Sequence, residues 1–310
     1  GAVYGIAFLV GPGLAGALLA TTSWTWLYLL NVPLAIGIAI AAWRTLPVTA
    51  TASDAGIDIP GLLTLGPALV ALAVGINQVD AADLLGSLLS PTAGGLLVLA
   101  AGLIAAFIAV ERRVASPLLR LGLFQHRPVR IAAVLAIGAG LAEASFIFFP
   151  EFAVESFDVP SSTASFMLLP LVGAVALGSP IAGRLLDRVG VRRIVIASSV
   201  LFTAGLSLIA VAPGDQVAFY SGSVLLGGGL AGLLGSSLSY ILLNAARETE
   251  RTVAQGIITL FLGVGQLAGG ALISAIAVTA SDTAGEAGPE GYAIAFGLVA
   301  GVGLLCTGLG

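Results

Sequence analysis

Gly183-Arg184-Leu185-Leu186-Asp187-Arg188-Val189-Gly190-Val191-Arg192-Arg193 holds four of the chain's twelve basic residues in eleven positions. It joins two uncharged runs, 163–183 and 194–212. Each run is close to the roughly 20 apolar residues that a helix needs to cross a hydrocarbon core. A charged turn this short between two such runs reads as a hairpin of membrane helices with its connection in water. Gly190 suits the backbone of that turn. Asp187 is placed to meet the positive end of the following helix's dipole, or to pair with an arginine of an adjacent helix. Basic residues here also anchor to an anionic inner leaflet.

The same pattern extends in both directions. Ten apolar stretches are expected to span: about 1–20, 25–46, 60–78, 93–111, 129–150, 163–183, 194–212, 217–242, 253–279 and 291–310. They are long and show no alternating period, so helices fit and a membrane barrel does not. Turn residues or charge separate them, as at Ser90-Pro91, Asp158-Val159-Pro160 and Pro213-Gly214-Asp215. The expected fold class is therefore all-α, a polytopic transmembrane helix bundle. The chain opens at Gly1 inside one apolar run and closes at Gly310 inside another, and is expected to be part of a longer polypeptide.

Composition agrees. Hydrophobic residues make up 58% of the chain and charged residues 9%, against about 25% charged in soluble domains. A mean hydropathy of +1.09 excludes disorder and an ordinary soluble enzyme. The net charge of −4 leaves no basic footprint for nucleic acid. A single cysteine (Cys306) and a single histidine (His126) make disulfides, metal sites and resident cofactors improbable. His126 reads as a solvated interfacial residue and Cys306 as a small apolar one.

Arginine fixes the orientation. There is no lysine, and the arginines fall at 44, at 112, 113, 120, 127 and 130, at 184, 188, 192 and 193, and at 247 and 251. These are the connections after spans two, four, six and eight. The other connections hold Asp80, Asp83, Glu151, Glu155, Asp158, Asp215, Asp282, Glu286 and Glu290, and no arginine. Positive loops stay in the cytoplasm, so the odd-numbered spans run outward.

Polar residues within the spans are the candidates for function. Glu143, in Gly140-Leu141-Ala142-Glu143-Ala144-Ser145, is the only ionisable side chain deep in a span. Such a residue is costly in lipid and usually faces a cavity, which would suit a proton carrier. The bland alternative is that it lies near the outer surface, since Glu151 is only eight residues away. Gln255 and Gln266 lie about three helical turns apart and share a face. Asn31, about one turn into its span, completes the set, and packing amides explain all three equally well. Gly265-xxx-Gly269, Gly297-xxx-Gly301 and the glycines at 227, 228, 229, 232 and 235 read as close-packing faces. Phe146, Phe148, Phe149 and Phe152 read as lipid contacts, or less readily as an apolar path.

The string from 183 to 193 resembles the loop signature of the major facilitator superfamily, G-x-L-x-D-R-x-G-x-R-R. Its members there are Gly183, Arg184, Asp187, Arg188, Gly190, Arg192 and Arg193. Gly11-Pro12-Gly13-Leu14-Ala15-Gly16 resembles that superfamily's antiporter motif through Gly11, Pro12 and Gly16, with Ala15 and Ala7 where the motif has glycine. Trp24-x-Trp26 with Asn31-Val32-Pro33, and Ser116-Pro117-Leu118-Leu119 before Leu123-Phe124, are similar to the 14-helix drug:proton antiporters of the EmrB/QacA type. The resemblance implies the fifth to fourteenth helices of that branch, with four preceding helices of the same polypeptide absent. It implies three parts. Residues 1–46 would be the end of an N-terminal bundle. Residues 47–127 would be two extra linker helices and a cytoplasmic connection, and 128–310 a C-terminal six-helix bundle. It also implies a plasma-membrane secondary transporter, not an enzyme, exporting amphipathic drugs or other small organic compounds against protons. Uptake or export of small organic anions or amino acids, or a non-transporting sensor or scaffold, are the alternatives. The expected partners are the lipid bilayer, protons and a small-molecule substrate. A membrane-embedded enzyme fits poorly, because the spans hold one acid and no histidine.

Overall fold

The computed structural model describes residues 10, 11, 14, 18, 22, 23, 25–45, 58–80, 83–114, 117–119, 121–245, 251–280 and 287–309. Among them there is no strand, and nine helices are long and apolar enough to cross a membrane. The first expected span, with Pro12 and Gly16, lies outside the described residues apart from isolated positions such as Gly11, which is helical.

The N-terminal part supplies α1 (Thr25–Thr45), α2 (Ile59–Asn77), the short α3 (Leu84–Leu89) and α4 (Ala93–Glu111). None of α1's described side chains is buried. Asp58 caps α2 by accepting a hydrogen bond from the Gly61 N–H (2.8 Å), and Pro60 sits in its first turn, where a missing donor costs nothing. α2 and α4 pack along one another, and α2 also touches the later bundle. The six-residue α3 is too short to show as a pattern in the sequence.

The remainder folds as six long helical runs around a common apolar core. These are α5 (Arg127–Phe157), α6 (Ser161–Met167) continued by α7 (Leu169–Val189), α8 (Val191–Val211), α9 (Gln216–Gly232), α11 (Arg251–Thr279) and α12 (Pro289–Leu309). A π-helical stretch (Leu233–Ser237) carries α9 into α10 (Leu238–Ala245). α5 lies along α11, α8 along α9 and α12, and α7 along α9, while α12 closes the ring against α5 and α11.

Three expectations shift. The span expected at 129–150 continues to Phe157, through Pro150, so Glu151 and Glu155 are helical rather than loop residues. In a membrane helix the backbone carbonyls that a proline frees are re-satisfied by neighbours, and the helix persists. At 31 residues α5 is about 46 Å long and projects beyond a 30 Å hydrocarbon core. It ends where Asp158 adopts the left-handed conformation (φ 49°), as the expected turn requires. The sixth span is broken at Leu168, ahead of Pro170, into α6 and α7.

The phenylalanines are a further correction. Phe149 and Phe152 face neither lipid nor a path, being fully buried against Phe219 and Phe296 with ring centroids 5.3–6.0 Å apart. Gly297 and Gly301 are not a close-packing pair either: an added Cβ would meet Ala210 at 3.7 Å in the first and nothing within 4 Å in the second. In α12 the close approaches fall at Gly291, against the backbone of Ala277, and at Gly303, against Phe202 and Thr203.

Candidate functional site

Glycine brings the polar residues together. A Cβ on Gly140 of α5 would strike the Leu262 carbonyl and come within 3.0 Å of Gly265 Cα on α11. A Cβ on Gly265 would strike the Ile137 carbonyl, and one on Gly269 would meet Ala144 Cβ at 2.8 Å. The two helices therefore touch backbone to backbone, which only glycine permits. That contact sets Glu143, one turn beyond Gly140, beside Gln266, the residue after Gly265.

Both line a cavity of about 500 Å³. Gln255, Ile258, Thr259, Leu262 and Gly263 of α11 form one wall. Leu234 and Gly235 of the π-helical stretch and Ser239 of α10 form another. The volume falls within the range of small-molecule pockets. Glu143 is half-buried and points into this space. Gln255 and Gln266 share the cavity face of α11, as their spacing requires, with Gln255 the more exposed. Asn31 is not brought to this site; it lies on α1, which contributes nothing to the lining.

The sequence reading missed Ser239 and the π-helical wall. A π turn inserts one residue and redirects side chains, and often marks a functional position in a membrane helix. The available signal was Gly235-Ser236-Ser237, a run of small polar residues in the middle of an otherwise apolar span. Chemically, the Glu143–Gln266 pair tolerates both protonation states. The amide N–H donates to a carboxylate, and the amide oxygen accepts from a carboxylic acid after a flip.

A second polar cavity, about 490 Å³, lies farther along α5. It is lined by Phe148, Glu151 and Glu155, by Ser274 and Val278 of α11, and by Ala287 and Tyr292. Glu143 and Glu151 are about 12 Å apart along the helix, and the buried Phe149 falls between them in the chain.

The charged turn has the backbone expected of it. Gly190 sits at φ 83°, ψ 156°, between the end of α7 and the start of α8. Gly183 is half-buried, whereas Arg184, Asp187, Arg188, Arg192 and Arg193 are exposed. Asp187 occupies the last turn of α7, and the N-terminus of α8 carries no side-chain capping hydrogen bond. His126 is an exposed N-cap on α5, and Cys306 is buried against Gly138.

Long apolar helices around a cavity of small-molecule size, with an acid and two amides in its wall, are the architecture of a polytopic membrane protein of the transporter type. The model of the Major Facilitator Superfamily matches residues 131–309, the whole of the six-helix bundle but its first turn. The chain belongs to that superfamily, a family of multi-pass plasma-membrane transporters. It is 29% identical over 270 residues to an uncharacterized MFS-type transporter, YfiU, of Bacillus subtilis, covering 86% of this chain and 52% of that one. It is 29% identical to the lincomycin resistance protein of Streptomyces lincolnensis, covering 82% of this chain and 53% of that one. It is 28% identical to a multidrug resistance protein B homolog of Mycobacterium tuberculosis, covering 89% and 51%. The chain thus spans about half the length of these curated relatives. The crystal structure of the nucleoside transporter NupG aligns over 99% of this chain and 80% of its own, with 16% identity and a TM-score of 0.49.

Proposed function

We propose that this chain is the C-terminal bundle and connecting helices of a proton-coupled exporter of amphipathic compounds, of the 14-helix type. Glu143 is its proton-carrying and cation-recognising group, and Gln255 and Gln266 are polar contacts for substrate. One observation carries the reading: Glu143, the acid deep in its span, lines a cavity of small-molecule size together with the amides of Gln255 and Gln266. The resistance and multidrug names of the relatives support the substrate class.

In this reading residues 1–46 end the first bundle, α2 and α4 are the linker pair, and residues 128–310 are the second bundle. Binding of a proton at Glu143 and of a cationic compound in the same cavity exclude one another, because both need the carboxyl oxygens. In this reading the packed rings of Phe149, Phe152, Phe219 and Phe296 are the barrier on the outer side of the cavity. Opening toward Glu151 and Glu155 requires the helices to part there, and rocking of one bundle against the other supplies that motion. Arg184, Asp187 and Arg188 act as a latch at the cytoplasmic end.

The test uses the full-length protein in proteoliposomes with an imposed proton gradient. Glu143→Gln keeps shape and hydrogen bonding but removes the exchangeable proton. Gradient-driven flux of a cationic dye is expected to fall at least about tenfold, equivalent to roughly 1.4 kcal/mol in the barrier, with flux of neutral compounds affected less. Unchanged gradient-driven flux would overturn the assignment of Glu143.

A further inference from the structure

Outside the central cavity, two acids meet at the inner ends of α2 and α4. Asp58 and Glu111 are 6% and 5% exposed. Asp58 Oδ1 accepts from the Gly61 N–H (2.8 Å) and Oδ2 from the Leu118 N–H (3.3 Å). Glu111 Oε2 accepts from the Leu119 N–H (3.3 Å). Glu111 Oε1 is buried and has no donor among the described residues. The two carboxyls hang on the consecutive N–H groups of Leu118 and Leu119, which brings them side by side.

The surrounding elements supply no cation among the described side chains. α2 carries no charged residue, and neither does the segment 117–119. On α4, Glu111 is the only charge, and Arg112 and Arg113 beyond it are exposed. His126, Arg127 and Arg130, at the start of α5, are exposed as well. α11, which packs on α2, brings the uncharged Thr259 to the cavity that Leu118 and Leu119 line. Asp58 is the one titratable group described that acts on Glu111.

Two buried carboxylates without a donor between them repel, and a shared proton turns that contact into an O–H···O hydrogen bond. We propose that Asp58 and Glu111 hold one proton between them, as a second proton-binding site of this chain that ties residues 117–119 to the inner ends of α2 and α4. The site is separate from Glu143 and stands whether or not Glu143 carries protons.

The tie has a structural consequence. Leu118 and Leu119, whose N–H groups hang on the acid pair, also wall an apolar cavity of about 670 Å³ together with Leu65 and Leu69 of α2 and Leu260 of α11. With the proton lost, the carboxylates separate, the segment is released and this wall loosens. By the arginine-derived orientation the pair faces the cytoplasm, so it responds to cytoplasmic pH.

Hydrogen exchange of the full-length protein in nanodiscs, between pH 5 and 9 and corrected for intrinsic rates, tests this directly. In the wild type, the Leu118 and Leu119 amides are expected to lose at least tenfold in protection as pH rises. Glu111→Gln supplies a permanent amide donor to Asp58 and still accepts from Leu119, so its protection is expected to stay high throughout. In a Glu143→Gln background, an infrared band of a protonated carboxyl is expected with Asp58 and Glu111 intact and absent once either Asp58→Asn or Glu111→Gln is added. Wild-type protection that does not change with pH, a Glu111→Gln profile that follows the wild type, or a band that survives both substitutions would each overturn the proposal.

Discussion

The contact between α5 and α11 can be tested by two substitutions five residues apart on one helix. Gly265→Ala adds a methyl that lands on the Ile137 backbone, with its carbon 3.0 Å from both the carbonyl carbon and Cα. Carbon atoms in contact prefer about 3.5–4.0 Å, so the helices must part by about 0.5–1 Å, because no flexible side chain is there to yield. Overpacking of this kind costs about 1–3 kcal/mol. Alanine returns up to about 1 kcal/mol in helix propensity, which leaves a net loss of about 1–2 kcal/mol at the middle of that range. At Gly270 an added Cβ meets nothing within 4 Å, so only the propensity gain of up to about 1 kcal/mol remains. The two substitutions should therefore move stability in opposite directions. Thermal denaturation of the purified full-length protein in detergent, followed by loss of the monodisperse peak, reads the difference. A Gly265→Ala protein as stable as Gly270→Ala would refute backbone-to-backbone packing of α5 on α11, and with it the positioning of Glu143 by glycine.

Other outcomes follow from single sites. Gly190→Ala forces a side chain into φ 83° and should cost about 1–3 kcal/mol, read as a lowered melting temperature; an unchanged one contradicts the turn geometry. Asp187→Asn should leave the melting temperature within error and lower the transport rate in proteoliposomes, and equal rates at equal reconstitution remove the latch role. Asp215 caps α9 by accepting from the Val217 N–H at 2.8 Å, so Asp215→Ala should cost about 1 kcal/mol, whereas Asp215→Asn should be nearly neutral; similar losses for both would point to charge rather than capping.

Much of the fold was legible because its information is local. A membrane helix is announced by its own run of apolar residues, and nine described helices match expected spans to within a few residues apart from the extension of α5 and the break in the sixth. The loop at 183–193 was readable for the same reason: charge, glycine and length all act within one turn. Pro150 misled the boundary of α5 because proline's penalty depends on whether neighbours satisfy the freed carbonyls, which is not a local property.

What faces what was decided by tertiary structure. Helices apolar all round carry little signal about which side meets a neighbour, so the sequence singled out Glu143 and named Gln255, Gln266 and Asn31 beside it without showing which of them share a site. Rotation and close approach of α5 and α11, permitted by Gly140, Gly265 and Gly269, gathered three of them around one cavity and left Asn31 aside. Asp58 and Glu111 sit at the ends of two separate spans, 53 positions apart in the chain, with nothing local to link them. Only the packing of α2 on α4 turns them into a buried pair, because the energy of a carboxyl is set by the groups beside it in space rather than along the chain.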